Sequence, residues 1–270
     1  DPSVVGRLNF WVDEFTNKTV MQIDEESVDD GLIQLAETRT GSTVNRYKST
    51  LSAVLIFFIR HKDYKKMVIH QKFTNPVRGE TVSKFSENPA KDRFLDQGEQ
   101  AAMLDACKQS HWDKLYLLIL MALTTGARKG ELLKLQWSAI DFQDRTATLY
   151  REKTKTKKPR LLPLTKPVVQ ELMKFREHTD FLVFHSTVSR STPFDIKKAW
   201  YKALDESGIE KCRFHDLRHT AASNLVRAGR SLFEVATLLG HSSIQMTQRY
   251  SHLAIHDTRD MVDKEMGSLK

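Results

Sequence analysis

Cysteine is nearly absent: Cys107 and Cys212 are the only two in 270 residues, and no C-x-x-C occurs. Two lone thiols exclude a disulfide framework and a zinc knuckle, and they favour a reducing compartment. Long apolar runs are also missing. The stretch "LSAVLIFFIR" is too short to span a bilayer and ends in charge. The opening, "DPSVVGRLNF", has no basic segment followed by an apolar block, so no secretion signal is expected. Its non-Met start leaves room for a longer parent chain. There is no internal repeat, no low-complexity tract and no G-x-x-x-x-G-K-[ST] phosphate loop. These absences point to a globular cytoplasmic protein with no membrane partner and no nucleotide-driven motor.

What is present is a large apolar fraction and an excess of positive charge. Hydrophobic residues make up 40%, enough for one large core or two smaller ones. The formal net charge is +8, which invites a polyanionic partner. Its distribution is uneven. Residues 1–38 carry nine acids against Arg7 and Lys18, whereas 39–90 carry ten Lys/Arg against three acids. These two segments cancel, so the whole excess lies in 91–270. Such segregation suits a DNA-facing surface with an acidic outer end.

The pattern of apolar spacing is mostly helical. "IDEESVDDGLIQLAET" starts acidic, and "GSTVNRYKSTLSAVLIFFIRHK" carries a stripe of Val44, Leu51, Val54, Leu55 and Phe58 expected in a core. Arg46 and Lys48 lie on or near its polar side and are candidate phosphate contacts. Residues 73–93 are polar, hold two Asn-Pro pairs and show no periodicity. The expected organisation is therefore a helical domain over 1–75, a linker over 76–92 and a second domain over 93–270. In the second domain "TATLY" and "RLLPL" flank the basic turn "KTKTKK", which predicts a small antiparallel sheet within a helical domain. The fold class is thus mainly α with a small antiparallel β-sheet. A last helix, "IHDTRDMVDKEMGSL", is expected after Tyr250.

Four stretches carry the chemistry. In "TTGARKGELLKL", Gly126 ends a helix and Arg128 sits in the tight turn after it, where a guanidinium fork suits a phosphate. Glu131 is placed to cap or pair with it. In "HDLRHTAAS", His215 and Arg218 share a face at a helix start, with Asp216 between them and His219 assigned to a different face. In "LLGHSSIQMTQRYSHL", His241 follows the helix stop at Gly240, and Tyr250 comes nine residues later. The fourth stretch is the basic turn "REKTKTKKPR", where a hairpin lysine can be aimed into a groove. Each stretch alone also reads as an ordinary turn or solvated charge.

Together, in this order and spacing, the four resemble the tyrosine recombinases, the family of phage and transposon integrases. The resemblance covers 93–270 and, more loosely, the helical segment before it. It implies two domains forming a clamp around double-stranded DNA at a specific site. It also implies that Arg128, Lys155, His215, Arg218 and His241 form the active site, with Glu131 supporting, and that Tyr250 is the nucleophile. Lys153 and Lys157 are the nearest rivals to Lys155; Lys157 and Lys158 are also candidate DNA contacts. On this reading Arg128 and Arg218 grip the non-bridging phosphate oxygens, His241 donates a further hydrogen bond, His215 accepts the phenolic proton and Lys155 protonates the leaving 5′ oxygen.

The resemblance further implies a 3′-phosphotyrosyl intermediate, exchange through a Holliday junction, and no cofactor, ATP or metal. Its expected partners are a homotetramer on DNA, with segment 254–270 docking on a neighbouring subunit, and accessory DNA-bending proteins; its expected place is the nucleoid. Ile255, Val262 and Met266 fall roughly on one face of that segment, which suits docking on a neighbour or on the chain's own domain. Two rival readings remain at this point. A type IB topoisomerase uses similar chemistry to relax supercoils. A non-catalytic DNA-binding module would keep the basic helices and tolerate loss of Tyr250.

Overall fold

The computed structural model describes residues 2–87, 93–150, 159–177, 181–241, 243–253 and 266–267. The chain divides into two compact units, Asp1–Lys91 and Asp92–Lys270.

The first unit is built from α1 (Pro2–Glu14), α2 (Glu25–Thr38), α3 (Gly41–Arg60) and α4 (Lys65–His70). Asp24 caps α2 by accepting the Ser27 N–H at 2.9 Å, as a short polar side chain before an acidic first turn should. The core gathers Trp11, Phe15, Val28, Leu32, Val44, Leu51 and Leu55. Val54 differs from the expected stripe: it is 44% exposed, because Val44, Leu51 and Leu55 define a face from which position 54 is turned away. The segment read as a linker begins as part of this unit. Pro76–Arg78 form a short 3-10 turn, and Val77 and Val82 are buried in the same core. Two spaced valines can anchor a segment without helical periodicity, which is why its sequence pattern resembles that of a connector.

The second unit is organised around α6 (Leu115–Thr125). Leu115, Leu117–Leu123 and Thr125 are all buried, the signature of a helix that is apolar on every side. Against it pack α5 (Gln97–Lys108), α7 (Lys129–Leu133), α8 (Lys166–Lys174) and α10 (Phe214–Arg227), while α9 (Lys197–Ser207) packs on α5, α11 (Leu232–Leu239) on α10 and the short α12 (Gln245–Gln248) on α11. A three-stranded antiparallel sheet has the order β1 (Ile140–Asp141), β2 (Thr146–Leu149), β3 (Arg160–Pro163). Ala147 pairs with both Ile140 and Leu162, and these residues turn their side chains into the main core. The basic turn between β2 and β3, including Lys153, Lys155, Lys157 and Lys158, lies outside the described residues, as does most of the expected last helix. Among the described residues no helix is long and apolar enough to cross a membrane.

Two helix ends position the candidate site residues. α6 stops at Gly126, which takes a left-handed conformation (φ 61°). α11 stops at Gly240 in the same way (φ 66°). Each releases the chain into a tight turn, the first carrying Arg128 and the second His241.

Candidate active site

Gly126 places its carbonyl oxygen where the Arg218 guanidinium reaches it, Nη1 to O at 2.8 Å. A side chain at 126 would collide with Leu239, since a Cβ would lie 2.3 Å from its Cδ2. Two residues on, Arg128 precedes the first turn of α7, and its backbone N–H donates to Glu131 Oε2 at 2.9 Å. Its side-chain Nη1 donates to Glu131 Oε1 at 3.0 Å. Glu131 therefore both caps the turn and holds the arginine. Burial works to raise its pKa, but the Arg128 N–H and the charges of Arg160 and Arg128 outweigh that, and the carboxyl sits below its ordinary range.

Arg160, at the start of β3, joins the same carboxylate from the sheet side, Nη2 to Oε2 at 2.7 Å, and also bonds the Leu238 carbonyl at the end of α11. The sequence does not single it out. It ends the basic run "KTKTKKPR", and nothing in the spacing distinguishes it from the lysines before it.

α10 carries the next group. Arg213 lends its backbone N–H to Asp216 Oδ2 at 2.7 Å, and its guanidinium pairs with the same buried carboxylate. Arg218 is only 4% exposed. Its second amino group, Nη2, is buried with no hydrogen-bond partner among the described residues. Burial, then the charges of Arg128 and Arg160, lower its pKa to about 10. A guanidinium held near two others, with an unmet donor, is a site prepared for an anion. His215 stands more exposed at the helix start; desolvation, then the Arg218 charge, lowers its pKa.

His219 overturns the expectation that it faces elsewhere. Positions i and i+4 lie on one helix face, and its ring meets that of His215 edge-on, with centroids 4.9 Å apart. It is buried, and its Nδ1 is 2.5 Å from the hydroxyl of Tyr250. The i, i+4 spacing is the signal in the sequence that could have found it.

His241 follows Gly240, and its Nδ1 is 2.6 Å from Thr247 Oγ1. Thr247 is fully buried. That bond fixes the ring and leaves Nε2 as the outward nitrogen. Desolvation, then Arg218 and Arg128, lower the His241 pKa to about 4, so the ring is neutral at pH 7. Tyr250 is 3% exposed and packs with Ala222, Val226, Val235 and Leu239. Its ring is thus seated on α10 and α11 of its own chain.

Arg128, Glu131, His215, Arg218, His241 and Tyr250 therefore fall in one neighbourhood, linked by these bonds and by the charges each feels from the others. Lys155 lies outside the described residues, as do Lys157 and Lys158. Arg46 is exposed on α3. Lys48 instead holds the backbone carbonyls of Val82 and Ser83 at 3.0 and 3.1 Å, a tie within the first unit.

The family model described as the phage integrase family matches residues 93–256, more than half of the chain. The chain belongs to the phage integrase family. As a member of this family of tyrosine recombinases, it is 33% identical over 174 residues to the integrase of Salmonella phage P22, covering 60% of this chain and 44% of that protein. It is 34% identical over 181 residues to the shufflon-specific DNA recombinase of Escherichia coli, covering 67% of this chain and 44% of that protein. The chain thus spans less than half the length of these two relatives. Among solved structures, it resembles that of XerH site-specific recombinase bound to a palindromic difH substrate, with a TM-score of 0.72 and 18% identity over 97% of this chain and 78% of that one. This likeness establishes the fold.

Proposed function

We propose that this integrase-family chain is the core-binding and catalytic portion of a site-specific DNA recombinase, which cleaves one strand at a time through Tyr250. The observation that carries the proposal is the Arg218 guanidinium, buried beside Arg128 with a donor left unmet. Glu131 is the one carboxylate among the causes acting on Arg218, against the positive charges of Arg128 and Arg160; a buried donor left unmet is costly, and a phosphodiester would supply both an acceptor and further negative charge. Arg128 and Arg218 then hold the non-bridging oxygens, and His241 adds a donor through Nε2. As negative charge grows in the transition state these contacts strengthen. Tyr250 attacks phosphorus, the 5′ oxygen leaves, and Lys155 protonates it. The product is a 3′-phosphotyrosyl ester with a free 5′-hydroxyl. The ester conserves the bond energy, so a hydroxyl from a partner strand can reverse the attack without ATP or a metal. Exchange by this route passes through a Holliday junction.

The two units are proposed to close as a clamp on double-stranded DNA, with Arg46, Lys157 and Lys158 on phosphates, and four subunits to assemble there. Segment 254–270 is proposed to dock on a neighbour, and accessory DNA-bending proteins to assist.

The test uses a pool of nicked duplexes with a randomised core, incubated with the chain and resolved under denaturing conditions. The expected result is a covalent protein–DNA adduct that Tyr250→Phe abolishes while DNA binding is retained. An adduct that persists in Tyr250→Phe refutes the assignment. Recombination between two copies of the selected site, against relaxation of supercoiled plasmid, separates a recombinase from a topoisomerase.

A further inference from the structure

A hydrogen bond links the Tyr250 hydroxyl to His219, which lies outside the set of residues that the motifs assign to the site. His219 Nδ1 and the phenol oxygen are 2.5 Å apart, and the two rings are 5.9 Å apart at 49°. Both residues are buried, His219 at 7% exposure and Tyr250 at 3%. Packing alone does not require this contact. The Tyr250 ring is already seated by Ala222, Val226, Val235 and Leu239. A polar group in this position has something to exchange with the hydroxyl.

His219 also shares a helix face with the phosphate grip. His215, Arg218 and His219 stand at i, i+3 and i+4 of α10, so one turn of backbone fixes the imidazole relative to the guanidinium. The charged or titratable groups around it are His215 and Arg218 on α10, His241 after α11, and Tyr250 itself.

We infer that His219 is a further catalytic residue: its Nδ1 takes the phenolic proton as the Tyr250 oxygen attacks the DNA phosphate. The inference rests on the proposed function. In the step, the Tyr250 oxygen forms a bond to phosphorus while its proton passes to His219 Nδ1. The bond from phosphorus to the 5′ oxygen breaks, and that oxygen keeps the electron pair and takes a proton from Lys155. In religation His219 returns its proton to the departing phenol. His215 is then left to the phosphate oxygens rather than to the nucleophile.

The experiment measures single-turnover adduct formation on the nicked duplex selected from the randomised pool, for the wild type, His219→Asn and His215→Asn, across pH. Asparagine keeps a polar group near the hydroxyl but cannot take the proton. The expected result for His219→Asn is retained DNA binding, a rate lower by on the order of 10²-fold or more, and loss of the acidic limb of the pH–rate profile. Imidazole added to His219→Ala should restore part of the rate. A His219→Asn rate within about threefold of wild type, with the acidic limb kept, overturns the inference. So does a limb that disappears only in His215→Asn. Nitrogen-15 NMR of the histidines in the wild-type protein and in Tyr250→Phe gives a readout that needs no change at 219. Nδ1 of His219 should be the unprotonated nitrogen at pH 8, and its resonance should move when the phenol is removed. A protonated Nδ1 that donates to the phenol contradicts the assignment. A wild-type chain that forms no adduct on any duplex overturns the recombinase reading itself, and this inference with it.

Discussion

At the scale of single residues, the site gathers Arg128, Arg160 and Arg218 about the Glu131 carboxylate, and the neighbouring histidines feel the arginines' charge. His241 shows the consequence. Its pKa is lowered from 6.5 to about 4 in the folded chain by desolvation and by Arg218 and Arg128. Between those two values the unfolded chain binds a proton that the folded chain does not. Stability therefore rises with pH across this window and is lost as the solution is acidified from about 6.5 towards 4. His215 is shifted in the same direction and adds to the effect. Chemical denaturation at a series of pH values should show this slope in the wild type, and a shallower one in His241→Gln. An unchanged slope would mean that the histidine does not sit in the field of the arginines. Conversely, a duplex that neutralises the arginines should raise both pKa values, so binding near pH 6 should take up protons, measurable as a buffer-dependent heat of binding.

At the scale of elements, the site hangs on two helix ends. Gly126 takes φ 61° and leaves no room for a Cβ against Leu239, which is itself fully buried beside Tyr250. Gly126→Ala is expected to cost about 1–3 kcal/mol and to slow adduct formation, since it displaces the carbonyl that positions Arg218. Gly130 is the control: it lies inside α7 with nothing near its absent side chain. Gly130→Ala should be neutral or stabilising by about 0.4–1 kcal/mol. Urea unfolding of the two variants checks both figures, and equal losses would argue against the turn as the anchor of the site.

These same elements show what sequence can and cannot display. Long helices with a capping acid or a terminal glycine are legible, because Asp24, Asp96, Gly126 and Gly240 are local signals with local causes. The three-strand sheet is legible from alternation and Pro163. The helix expected after the Arg128 turn is α7, but its five residues are too few to show a helical period, so its end is not legible. Within the site, the described residues carried by motif spacing lie in one neighbourhood, and Lys155 lies outside the described residues. Arg160 does not stand out, since its pairing with Glu131 spans 29 positions. His219 escapes for a different reason: its spacing from His215 is visible, but its partner Tyr250 is distant in sequence and near only in space. Lys48 resembles a phosphate contact because a basic residue on a polar helix face has the same appearance whether it meets DNA or two backbone carbonyls.

At the scale of the whole molecule, each unit closes its own core, one around Trp11, Leu32 and Leu55 and the other around α6. A fragment spanning 93–270 is therefore expected to unfold cooperatively on its own, as followed by circular dichroism. A broad, non-cooperative melt would show that the second core depends on the first unit. The basic excess of 91–270 also makes an electrostatic statement about the complex. Affinity for duplex DNA should fall steeply and linearly in log–log form as salt rises, with a slope set by the number of phosphates neutralised. A flat response would contradict a phosphate-gripping surface.

The central claim is that one phenol, seated on α10 and α11 in the neighbourhood of the buried Arg218, becomes covalently joined to DNA. The most direct measurement is digestion of the trapped adduct with trypsin, followed by sequencing of the nucleotide-bearing peptide. Cleavage after Arg249 should release a peptide that begins at Tyr250, with the nucleotide attached to that residue. Attachment at any other residue, or an adduct whose linkage is not a phosphotyrosine, would contradict the claim.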